Sequence, residues 1–163
     1  MRLLVDLMCG GIVSYLRMCN HDAAYAGDRG LEADDDLLAV ARAESRTLVT
    51  RDVALAARAT RATDAILLES RETVDQLAEL SDAGVDLSLA DRPRFCGRCN
   101  GRLEGVDGAE PTPEYAPDPA ETEVYRCRDC RQHFWRGTHW DRVSRTLSRL
   151  DRDSDDPLDG GQR

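Results

Sequence analysis

The chain has 163 residues, 41% of them hydrophobic, enough for one ordinary domain or a small domain with an added module. All 22 basic residues are Arg, which excludes a phosphate loop built on Lys and a Schiff-base enzyme. With 31 acids the net charge is −9, and no apolar run approaches the ~20 residues of a membrane span.

The chain starts Met1-Arg2-Leu3-Leu4-Val5-Asp6, reaching an acid after three apolar residues. That is no signal peptide, and a cytoplasmic protein is expected. Leu3-Leu4-Val5 reads as a buried strand. Gly10-Gly11 follows, then Ile12, Val13, Leu16 and Cys19 at helical spacing. Ala23-Ala24-Tyr25 suggests a second strand. Asp34-Asp35-Asp36 opens a helix with its acids at the positive end of the dipole. Thr47-Leu48-Val49-Thr50 is a third strand, and 53–61 an Ala-rich helix. Ala65-Ile66-Leu67-Leu68 is a fourth strand, and 73–83 a helix stopped by Gly84. Strands alternating with helices predict an α/β fold with a parallel sheet of about four strands.

The character changes after residue 91. Residues 1–91 carry net −8, whereas 92–150 carry 9 acids against 11 Arg, net +2. Acidic chains usually avoid nucleic acid, because phosphate supplies most of the non-specific affinity. Here the acid excess without Lys matches a salt-adapted, halophilic composition, and the second segment is locally basic. A helix over 137–150 carries Trp140, Val143, Leu147 and Leu150 on one side. Residues 151–163 read as a disordered acidic tail.

Cys96-Gly97-Arg98-Cys99 and Cys127-Arg128-Asp129-Cys130 are two C-x-x-C turns. Together they supply four thiolates, the closed ligand set of structural Zn²⁺. The competing reading, two disulfides, suits an oxidising compartment instead. Arg98, Arg102, Arg128, Arg131, Phe134, Trp135 and Arg136 suit nucleic-acid contact; equally, Phe134 and Trp135 suit covering the small core of a zinc ribbon. Cys9 and Cys19 read as core residues.

Asp6 and Asp52 each follow a buried run, so both belong at the carboxyl edge of the sheet, where ligands bind in such folds. Asp34 and Asp35 start a helix that reaches the same edge. Two carboxylates ~4 Å apart repel by roughly 4 kcal/mol at an effective dielectric of 20, which a divalent cation offsets. Oxygen ligands point to Mg²⁺ or Mn²⁺, and phosphodiester hydrolysis is the matching chemistry. As caps or solvated acids, the same residues would have no chemistry at all.

Several pieces run in a telling order: Asp6-Leu7-Met8-Cys9-Gly10, Tyr15-Leu16-Arg17-Met18, Asp34-Asp35-Asp36-Leu37-Leu38, Thr50-Arg51-Asp52, Asp75-Gln76-Leu77, the two cysteine turns with Cys99-Asn100, and Phe134-Trp135-Arg136-Gly137-Thr138-His139-Trp140. Over about residues 1–142 this resembles the Mut-seven C-terminal RNase domain family. The resemblance implies a PIN-like nuclease domain over 1–91 and a zinc ribbon with a C-terminal helix over 92–150. It implies a metal-dependent, endonucleolytic ribonuclease acting on RNA. Asp6, Asp34 (or Asp35) and Asp52 then match the metal carboxylates, with Thr50 the hydroxyl residue preceding Asp52. Arg17 and Arg51 fall where phosphate contacts are expected, and Asp75 is the candidate fourth acid. The family's usual Ala-Arg-Trp stretch is replaced by Val13-Ser14-Tyr15, and its Leu by Cys9. The alternative function is a non-catalytic RNA- or ribosome-binding ribbon protein.

Overall fold

The structure is a computed structural model that describes residues 1–155. Strand β1 (Arg2–Val5) lies inside a four-stranded sheet of order β2-β1-β3-β4, with β2 at Asp22–Tyr25, β3 at Thr47–Thr50 and β4 at Ala65–Leu67. All pairings are parallel, and Val5 lies opposite both Tyr25 and Val49. Continuous apolar runs suit strands covered on both faces. The two-residue period sorts their side chains. Leu3, Val5, Ala23 and Val49 join one core cluster; Leu4, Ala24 and Leu48 join the other.

Helix α1 (Val13–Met18) and helix α4 (Thr73–Asp82) supply Leu16, Leu77 and Leu80 to the first cluster. Helix α2 (Asp34–Ala43) and helix α3 (Val53–Ala59) supply Leu37, Ala41, Leu55 and Ala59 to the second. The chain thus leaves β1 toward one face and β3 toward the other. The space between the carboxyl ends of β1 and β3 is therefore a topological switch point, where α/β sheets open a crevice.

The cysteine segment forms a second, antiparallel sheet of order β5-β6-β7 (Leu103–Gly105, Tyr125–Cys127, His133–Phe134). It docks on edge strand β2. The side-chain amide of Asn100 accepts from the Ala23 N–H at 3.1 Å and donates to Asp22 Oδ1 at 2.7 Å. An open strand edge is thereby closed by a side chain rather than by another strand.

Helix α5 (Thr138–Asp155) follows. The sequence grouped it with the ribbon, but Val143, Leu147 and Leu150 join the core cluster of the parallel sheet. The stripe was legible; the surface it covers was not. The expected tail from Asp151 begins as helix, because no Gly or Pro intervenes between Gly137 and Pro157. The rest of that tail lies outside the described residues. Among the described residues no helix is long and apolar enough to cross a membrane.

Candidate functional site

Asp6 follows β1 directly, 6% exposed, and its N–H extends the ladder by donating to the Val49 carbonyl at 2.9 Å. It caps a 3₁₀ turn (Leu7–Ile12): Oδ1 accepts from the Leu7 N–H at 2.7 Å. Its other oxygen, Oδ2, accepts from the Thr50 hydroxyl at 2.7 Å. The same hydroxyl accepts from the Asp52 N–H at 3.0 Å. Asp52 Oδ1 caps α3 through the Leu55 N–H at 3.0 Å. One fully buried hydroxyl therefore connects the two aspartates across the switch point.

Asp34 and Asp35 open α2 without a side-chain cap and pair with Arg58 of α3. Among the described residues, the four cysteines are the one group that brings three or more metal-ligating atoms within 4.8 Å of one another. The expected carboxylates are thus divided: Asp6 and Asp52 are coupled through Thr50, while Asp34 and Asp35 are held by a guanidinium. At Asp6 and Asp52 the donors are carboxylate oxygens, the ligand type that a hard cation takes.

Arg51 is half-buried, and its Nε has no hydrogen-bond partner. Its positive charge acts on Glu79 of α4 and on Cys9. Burial opposes ionisation of Glu79, but bonds from Ser70 and Glu69 and the Arg51 charge outweigh it and lower the pKa. Glu79 accepts from the Glu69 N–H at 2.7 Å and the Ser70 N–H at 2.8 Å, fixing the loop after β4. Asp75, the expected fourth acid, is exposed in the first turn of α4; Glu79 lies one turn on. Cys9 is pushed up to about 11 by burial and by the Asp6 charge, so it stays a neutral thiol at neutral pH.

Arg17 was expected at phosphate. It is 2% exposed, with Nε on the Ala23 carbonyl at 3.0 Å, Nη1 on Gly97 at 3.1 Å and Nη2 on Asp28 at 3.3 Å. Its place is between the sheet and the first cysteine turn.

In that second site Cys96 Sγ lies 3.6 Å from Cys130 Sγ, and Cys99 Sγ 3.5 Å from Cys127 Sγ. A disulfide needs ~2.05 Å. A tetrahedron of ~2.3 Å metal–sulfur bonds has edges of about 3.8 Å, so the spacing fits a four-thiolate metal. The two turns match: Asn100 (φ 69°) and Arg131 (φ 66°) follow them in left-handed conformation, each N–H closing on the carbonyl of Cys96 or Cys127. Burial opposes ionisation of Cys127, yet the N–H groups of Cys130 and Asp129 hold its pKa below the usual thiol value.

The family model described as the Mut7-C RNAse domain matches residues 1–147. No curated protein and no solved structure matches.

Proposed function

The chain belongs to the Mut7-C RNAse domain family, and from that premise we propose that it is a metal-dependent ribonuclease, endonucleolytic, with a PIN-like nuclease domain and a zinc-stabilised ribbon. The observation that carries this reading is the Asp6–Thr50–Asp52 chain of hydrogen bonds at the switch point.

In this reading Asp6 and Asp52 hold Mg²⁺ or Mn²⁺. When bound, such a cation neutralises charge at the scissile phosphate and makes a water more acidic. Thr50 fixes the orientation of the Asp6 carboxylate by donating to Oδ2. Arg51, whose positive charge already acts on Glu79 and Cys9, supplies the cation that meets the phosphate. Asp34 belongs to the acid set once it leaves Arg58. Zn²⁺ on Cys96, Cys99, Cys127 and Cys130 has a closed shell, which suits folding rather than chemistry.

The test is cleavage of single-stranded and structured RNA at high salt, with Mg²⁺ or Mn²⁺ added to zinc-loaded protein. Asp6→Asn and Asp52→Asn should each abolish cleavage with the far-ultraviolet dichroism unchanged. Wild-type rates from both variants overturn the reading. The pairing of Asp34 and Asp35 with Arg58 favours the second reading, a non-catalytic RNA-binding ribbon protein. It predicts RNA binding with no cleavage under any divalent ion.

A further inference from the structure

The chain has two Trp and two Phe, and all four line one cavity of about 570 Å³ between α1 and the ribbon. Ser14 and Met18 of α1 form one wall; Phe95, Phe134, Trp135 and Trp140 form much of the rest. That volume falls within the range of small-ligand sites. The aromatics are not simply the ribbon's core. Phe95 and Val124 are buried with the cysteines, whereas Phe134, Trp135 and Trp140 remain half-buried around open space.

Charge selects the occupant. The chain carries 31 acids, yet among the described residues none lines this cavity. Arg98 and Arg136 do, together with His133 and His139. Arg136 stands 4.9 Å over the Trp140 ring and is anchored from outside the lining by Asp91, through its carbonyl at 2.8 Å and its exposed carboxylate at 3.4 Å, a surface pair that a phosphate can replace. Gln132 and Ser14 add an amide and a hydroxyl, the groups that read a base edge. Aromatic faces with cations and without acids suit a planar heterocycle carried on an anionic backbone.

We propose that this cavity binds one unpaired base of RNA, stacked on Trp135 and Trp140, with the flanking phosphates on Arg98 and Arg136. The proposal rests on the part of the proposed function that makes RNA the ligand of this chain, not on cleavage. Helix α1 continues from the 3₁₀ turn that Asp6 caps, so a strand held here lies along the element leading to the acid pair.

The experiment measures anisotropy of labelled oligoribonucleotide hexamers with the full zinc-loaded chain, without Mg²⁺ or Mn²⁺. A hexamer of the same ribose-phosphate backbone lacking bases is the control. The normal hexamer should bind and the base-free one should bind at least tenfold more weakly. Trp135→Leu should weaken binding about tenfold, in the range of one stacked base, while Trp135→Phe retains it. Ser14→Phe, which fills the cavity and removes no aromatic, should also weaken it. Equal binding of both hexamers, no binding of either, or an unchanged Ser14→Phe variant overturns the proposal. Base-dependent binding without any cleavage leaves this site standing and removes the ribonuclease reading; cleavage with base-independent binding does the reverse.

Discussion

The guanidinium of Arg17 reaches from α1 into the first cysteine turn and donates to the Gly97 carbonyl at 3.1 Å, while its Nε holds the Ala23 carbonyl of β2 at 3.0 Å. One buried side chain thus fastens the ribbon to the edge of the parallel sheet. Asn100 makes the reciprocal connection from the ribbon side.

Arg17→Met should therefore act on stability. Each buried carbonyl left without a donor costs about 1–3 kcal/mol. Urea unfolding should show a loss of that order, with faster release of zinc to a chelator. The folded fraction should still cleave RNA. Loss of cleavage at unchanged stability would instead place Arg17 at the phosphate.

Thr50→Val keeps the volume but removes both the donor to Asp6 and the acceptor for the Asp52 N–H. Groups that orient metal ligands are worth roughly 10–100-fold in affinity or activity. Cleavage should fall by that factor, and half-saturation should need more Mn²⁺. Thr50→Ser retains the hydroxyl and should stay close to wild type. Identical Mn²⁺ titrations for Val and Ser would show that the hydroxyl is unimportant.

Removing zinc should expose the β2 edge as well as unfold the ribbon. The Ala23 amide is held by Asn100, just after the first cysteine turn. Its hydrogen exchange should accelerate on zinc removal, while the Val49 amide inside the sheet stays protected. Loss of the ribbon should also raise the tendency to aggregate, as an open edge does. Unchanged Ala23 exchange in the zinc-free protein would contradict this docking.

His21 gives a pH signature. Burial lowers its pKa below 6.5, although the Asp86 carbonyl on Nε2 pulls the other way. The unfolded chain takes up this proton at higher pH than the folded one, so stability is constant above about pH 6.5 and falls as pH drops below it. His21→Gln should flatten the decline in urea midpoint between pH 7.5 and 5.5. Parallel declines in both proteins would assign the effect elsewhere.

The sheet was legible because Leu3-Leu4-Val5 and Leu48-Val49 are unbroken apolar runs, and only a strand covered on both faces needs them. Asp6 and Asp52 were legible for the same reason, as the first acids beyond those runs. The partners of Arg17 and Arg58 were not. A lone Arg reads as solvated, and nothing in its spacing shows that a carbonyl eighty residues away will bury it. Glu79 was hidden likewise, since its bonds run to a loop rather than along its helix.

Both tryptophans of the chain line the same cavity beside the ribbon. The intrinsic emission of the protein is consequently a private reporter of the ribbon junction. Followed by emission, denaturation times the parting of the ribbon from α1. Followed by dichroism, it times the melting of the helices packed on the sheet. Any gap between the two curves measures how far the modules come apart before either unravels.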